Sequence, residues 1–153
     1  MPFPPDIAAL LKKSDTRPLP VVFTAFSKTH FYCGDALCEF VFSRGGAPLN
    51  PFKAYGYFLN DRVDRDLVRR ANNTLLARSD ALWVFGPISD GVLFEVFLAL
   101  DRGLPLRFFT IATRACEIAD IPGPEGLEFE ADAAPPERIW EVRALLAGVW
   151  DAA

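Results

Sequence analysis

A strand, a glycine turn and a helix in direct succession constrain this chain more than any other feature. Leu82-Trp83-Val84-Phe85 is a short run with no polar alternation, Gly86-Pro87-Ile88-Ser89-Asp90-Gly91 is turn-forming, and Val92 to Arg102 is an apolar helical stretch closed by Gly103. An unalternating run suits a strand covered on both faces, as in a parallel sheet. Parallel neighbours need crossover connections, so the remaining sequence has to alternate strands with helices.

It does so along its length. Asp6 to Lys13 reads as a short amphipathic helix ended by Arg17-Pro18-Leu19-Pro20, and Val21 to Phe26 as a central parallel strand followed by a polar turn, Ser27 to His30. Tyr32 to Ser43 has helical spacing and stops at Gly45-Gly46, and Ala47 to Phe52 reads as a second strand. Lys53 to Asn60 reads as an aromatic loop. Asn60 or Asp61 is then positioned to cap a helix from Arg62 towards Arg78, with a kink or second start expected at Asn72-Asn73. Leu82 to Phe85 and Leu104 to Ile111 are the third and fourth strands, and Leu127 to Glu130 a short further one. Pro136 opens a last helix on the spacing of Ile139, Val142, Leu145, Leu146 and Val149. This pattern predicts an α/β fold: a doubly wound, mostly parallel flavodoxin-like or Rossmann-like sheet with helices on both faces. Residues 1–153 are expected to form one domain, with 1–19 an N-terminal extension and 122–153 a C-terminal strand and helix.

Composition narrows the function classes. A net charge of -4 argues against a nucleic-acid polymer as the main ligand, and no stretch is long enough to span a bilayer. Met1-Pro2-Phe3-Pro4-Pro5 lacks the regions of a secretion signal. Cys33, Cys38 and Cys116 form an odd set without a disulfide framework, so the cysteines read as buried small hydrophobes in a cytoplasmic protein. With His30 the single histidine, no metal site and no cofactor are expected. Half the residues are apolar and Phe is frequent, so an apolar surface for a homodimer or higher homo-oligomer is expected.

In open α/β sheets the ligand sits beyond the carboxyl ends of the strands, which selects Thr24 to Lys28, Asn50 to Tyr57 and Gly86 to Glu95 as one cleft. Ser89, Asp90 and Gly91 precede a helix N-terminus, where free N–H groups and the helix dipole favour an anion. Glu95 lies one turn further along. The terminus is expected to keep it ionised, fit to attack or stabilise an anomeric carbon. The plain alternative is a helix cap plus a first-turn carboxylate; the surrounding Val92, Leu93, Phe94, Val96 and Phe97 weigh against it, since a carboxylate among apolar residues needs a reason. Asp80, ahead of its strand and so at the opposite end, reads as structural. Tyr55 and Tyr57 read equally as stacking on a base or covering the site and as core packing, Arg69 and Arg70 as solvated, and Trp140 and Trp150 as packing the last helix against the sheet or a subunit neighbour.

Asn72 to Ile111, with Asp80, Ser89-x-Gly91-x-x-x-Glu95, Ala99 and Gly103-x-Pro105, resembles the nucleoside 2-deoxyribosyltransferase superfamily. In motif it is most similar to the nucleotide N-glycoside hydrolases. The resemblance implies that Glu95 is the nucleophile and that Ser89 holds a 5′-phosphate, where transferases of unphosphorylated nucleosides carry an aspartate. It also implies that Val22 to Lys28, including Thr24, Ser27 and Lys28, forms the phosphate and sugar loop. Asn72 stands where cleaving members carry an aspartate that engages the base. An amide can orient a base but cannot deliver a proton at neutral pH. The expected function is therefore hydrolysis or (deoxy)ribosyl transfer at the N-glycosidic bond of a nucleoside 5′-monophosphate or similar ribosyl phosphate. Catalysis falls to Glu95 and Asn72, and binding to Thr24, Ser27, Lys28, Tyr57, Ser89, Asp90 and Gly91. The alternative is a non-catalytic nucleotide-binding or sensing module on the same fold.

Overall fold

The computed structural model describes residues 3–151; Met1 and Pro2 of the stretch weighed as a secretion signal lie outside them. Four parallel strands, β1 (Val21–Ala25), β2 (Ala47–Leu49), β3 (Ala81–Phe85) and β4 (Leu106–Phe109), form one sheet in the order β2-β1-β3-β4. Phe23 pairs with Leu49 on one side and Leu82 on the other, and Val84 with Phe108. The helices are α1 (Pro5–Leu11), α2 (Gly34–Ser43), α3 (Pro51–Tyr55), α4 (Arg65–Ala77), α5 (Asp90–Asp101) and α6 (Ile139–Asp151). The expected α/β architecture of the flavodoxin or Rossmann type is present. The chain winds outward from β1 to β2 and then crosses to β3 on the other side, so the strand order reverses between β1 and β3.

Period-two alternation divides the strand residues between two cores. Phe23, Leu82, Val84 and Phe108 face α4, α5 and α6 through Leu76, Val92, Val96 and Leu146. Val22, Trp83, Phe85 and Phe109 face α2 through Leu37, Phe40 and Val41. Phe40 makes edge contacts with Trp83, Phe85 and Phe109 at 4.9–6.2 Å between ring centres, so part of the phenylalanine surplus is core. Trp150 stacks on Phe108 and donates its indole N–H to the Ile121 carbonyl, as its place on the last helix suggested, whereas Trp140 is 67% exposed. Asp80 is structural: its Oδ2 accepts the Val21 N–H at 2.7 Å and fixes the start of β1 against β3. Among the described residues, no helix is long and apolar enough to cross a membrane.

Several local expectations are corrected. The second strand stops at Leu49, because Asn50 accepts the Phe52 N–H at 2.9 Å and Pro51 at the first helical position starts α3. Lys53 to Tyr55 of the expected aromatic loop are thus helical. The next helix is capped by Asp64, which accepts the Asp66 N–H at 2.8 Å, rather than by Asn60 or Asp61. It runs through Asn72-Asn73 without a break, since packing of Val68 and Leu76 outweighs two weak helix formers. The segment Leu127 to Glu130 makes a single parallel bridge, Phe129 to Ile88, because its partner turns away into α5 at Ser89. Cys33 is buried as expected, but Cys38 is half-buried and Cys116, in a surface turn after β4, is exposed.

Candidate functional site

A cleft of about 640 Å³ opens at the carboxyl ends of the strands, beside the reversal between β1 and β3. Three connections supply most of its walls. The turn after β1 contributes Phe26, Ser27 and Lys28; the turn after β2 contributes Pro51, Phe52, Gly56, Tyr57 and Phe58; the turn after β3 contributes Ser89, Asp90 and Gly91, continued by Phe94 and Glu95 on α5. One side of α4, Arg65, Val68, Arg69, Asn72 and Asn73, forms the remaining wall, and Glu130 and Asp132 close one end.

Of the residues selected from sequence, Ser27, Lys28, Tyr57, Asn72, Ser89, Asp90, Gly91 and Glu95 come together here. Thr24 does not. It is fully buried within the sheet, where its hydroxyl donates to the Leu49 carbonyl at 3.1 Å and joins β1 to β2. Tyr55 stays outside the cleft walls, and so does His30, whose Nδ1 is 3.1 Å from the Thr29 hydroxyl.

Ser89 caps α5, its Oγ accepting the Val92 N–H at 3.3 Å. Asp90 accepts the Gly91 N–H at 2.7 Å, and Leu93 N–H returns to the Ser89 carbonyl at 2.9 Å. Ahead of the helix, Gly86 ends β3 with φ of +71° and the Ile111 side chain 2.6 Å from where a Cβ would stand, so only glycine turns the chain here. At Gly91 an added Cβ meets only the Ser89 Oγ at 4.0 Å. The helix start at Gly91 is therefore open to the cleft.

Two buried polar atoms in the cleft wall lack a hydrogen-bond partner: Glu95 Oε2 and Asn72 Oδ1. Such atoms are few in folded proteins and ask for a reason. Burial pushes the Glu95 carboxyl up to about 8. This corrects the expectation that the helix terminus keeps it ionised: the first-turn N–H groups already serve Ser89 and Asp90, Glu95 lies beyond that turn, and desolvation prevails. The cleft wall thus holds an uncharged carboxyl group at neutral pH.

The other charged groups have local partners or stand free. Arg65 pairs with Asp61 at 2.7 Å and lies over the rings of Tyr57 and Phe58; Arg69 pairs with Asp66 at 2.7 Å and also covers Phe58. Arg69, expected as merely solvated, is an exposed cleft residue. Glu130 accepts the Thr29 hydroxyl at 3.2 Å, and Lys28 has no ion pair among the described residues. Helical spacing shows in retrospect that Arg65, Arg69 and Asn72 share one face of α4. Nothing in the sequence near Glu130 and Asp132 announces their arrival, which depends on the bridge between Phe129 and Ile88.

Fold and site together define a parallel α/β protein with a cleft at its topological switch point. Residues 27–109, more than half of the chain, match a family described as a domain of unknown function (DUF7768), and the chain belongs to it. The matched span runs from Ser27 to the end of β4, covering the cleft walls except Phe23, Phe26 and the end formed by Glu130 and Asp132. No curated protein matches the chain.

Proposed function

We propose that this protein breaks or exchanges the N-glycosidic bond of a nucleotide or similar ribosyl compound, with Glu95 as nucleophile. The observation that carries this reading is the buried, unpartnered Glu95 Oε2 in the wall of a cleft that also holds Ser27, Lys28, Tyr57, Asn72 and Ser89. A sugar edge is rich in hydroxyl donors, which is what an isolated carboxyl oxygen lacks. Those donors stabilise the carboxylate over the acid, so substrate binding itself ionises the nucleophile, its proton passing to solvent. The carboxylate oxygen then bonds to C1′ as the bond to the base nitrogen breaks, the electron pair leaving with the base. Water or a second base attacks the same carbon and frees Glu95. Asn72, with its own unpartnered Oδ1, accepts a hydrogen bond from the base edge, and the rings of Phe52, Tyr57 and Phe58 offer it stacking surfaces. The departing base takes its proton from water, since Asn72 cannot supply one.

A second reading has its own support. An uncharged Glu95 beside an amide at Asn72 is also what a nucleotide-binding module without turnover would keep. The two separate in one assay: release of free base from a panel of nucleosides and nucleoside 5′-monophosphates, with and without an acceptor base. Release is expected to vanish in Glu95→Ala, to rise in Asn72→Asp, and kcat/KM to climb about tenfold per pH unit until it levels near pH 8. Binding without release assigns the module instead. We further propose that the exposed Phe94, Phe97 and Leu100 on α5 meet a second copy of the chain.

A further inference from the structure

Resting on the glycosidic reading, we propose that Glu130 and Asp132 are specificity-determining residues that make the cleft take an uncharged sugar end in preference to a phosphorylated one. The resemblance through Ser89 points to a 5′-phosphate near Ser27, Lys28 and Ser89. The donors and charges at that end of the cleft favour a hydroxyl.

A phosphate monoester brings close to two negative charges and acceptor oxygens that need N–H or O–H donors. At the start of α5 three backbone donors are already engaged, and the Ser89 hydroxyl keeps its own proton. Val92 N–H serves Ser89 Oγ, Gly91 N–H serves the Asp90 carboxylate, and Leu93 N–H serves the Ser89 carbonyl. Asp90 therefore sets a negative charge where the helix dipole would otherwise draw an anion.

The turn after β1 is committed in the same sense. The Thr29 hydroxyl gives its one proton to Glu130 Oε1 at 3.2 Å. Its 3.0 Å contact with Ser27 Oγ must then be donated by Ser27, so neither hydroxyl has a proton left for a phosphate oxygen. Glu130 is no mobile surface residue: its N–H binds the Ile88 carbonyl at 2.9 Å, and Ile88 N–H binds the Glu128 carbonyl at 2.8 Å. These bonds tie the Glu130 backbone to the turn that carries Ser89, and the Thr29 hydroxyl holds its carboxylate.

Charge points the same way. Lys28 is the cation of this end, against Asp90, Glu130 and Asp132, while the cleft's arginines, Arg65 and Arg69, are paired with Asp61 and Asp66. A hydroxyl reverses the match, since it can donate to the second oxygen of Glu130. Glu130 and Asp132 lie beyond the family match at residues 27–109, so this selection belongs to the C-terminal segment.

The test compares adenosine, guanosine, cytidine, uridine, thymidine and their 2′-deoxy or ribo counterparts with the corresponding 5′-monophosphates. The readouts are base release and calorimetric affinity, for the wild type and the Glu130→Gln/Asp132→Asn variant. The wild type is expected to favour the unphosphorylated partner by at least about tenfold, and the variant to shrink that ratio by about tenfold. Raising salt should shrink the wild-type ratio too, a check that needs no variant. A wild-type preference for the monophosphates, or a ratio unmoved in the folded variant, overturns the inference and leaves the glycosidic reading standing. Neither release nor binding of any compound by folded protein overturns both.

Discussion

At Glu95 two opposing effects meet, and their balance is measurable. A helix start favours a carboxylate, whereas burial without a partner favours the acid, and here burial holds the group near 8 against an ordinary 4.5. The folded state thus binds the proton more tightly than the unfolded chain. Its contribution to stability is full below about pH 4.5 and is lost as pH rises to 8. Between pH 5 and pH 9 this one group is expected to remove on the order of 4 kcal/mol of unfolding free energy. Urea titrations across that range should show the decline in the wild type and a flatter profile in Glu95→Gln. Parallel profiles would mean that Glu95 titrates normally and that the cleft is wetter than its geometry indicates. Ser89 shows the same kind of divided loyalty. Its hydroxyl was legible as a ligand group or a helix cap, and the Val92 N–H makes it the cap, with only its own proton left to offer.

Among the elements, the connection between α3 and α4 departs furthest from ordinary backbone. Phe58, Leu59, Asn60 and Asp61 have φ values of 50–58°, a left-handed turn made of four residues other than glycine. Each such residue costs about 1 kcal/mol or more, since its Cβ crowds the following carbonyl. The turn is held by Arg65, which grips Asp61 and covers Phe58 and Tyr57. Its product is the placing of both rings at the cleft wall. Leu59, 40% exposed, packs little, so Leu59→Gly is expected to raise unfolding free energy by about 1 kcal/mol in urea titration. A loss of stability instead would show that the leucine side chain, rather than the backbone, sets the energy of this turn. From sequence alone the stretch reads as an aromatic loop. Left-handed geometry at Phe and Leu runs against local preference and is imposed by contacts with α4.

For the whole molecule, the distribution of aromatic residues bears on association. Phe40, Trp83, Phe85 and Phe109 fill one core, yet Phe94 and Phe97 on α5 are 54% and 38% exposed, and Phe94 also lines the cleft. Burying that stripe against a second copy would shelter the cleft mouth. Sedimentation velocity is expected to show a dimer that Phe97→Glu converts to monomer, with Phe3→Glu on the N-terminal extension as a control that leaves it intact. A monomer at all concentrations would remove self-association from the account of this surface.

The alternation of strands and helices, the parallel sheet, the cleft at its carboxyl ends and the structural place of Asp80 were readable in the sequence, because each follows from short-range periodicity and turn chemistry. The same is true of the segment from Ser89 to Glu95, whose spacing places cap and carboxylate on one helix. Other features were decided only by tertiary structure. Thr24 was withdrawn into the sheet by the Leu49 carbonyl, α4 was kept straight through Asn72-Asn73 by its packing, Glu95 was deprived of its charge by its surroundings, and Glu130 was carried to the cleft by a single bridge to Ile88. Burial and long-range pairing depend on residues distant in the chain, so local sequence holds no record of them.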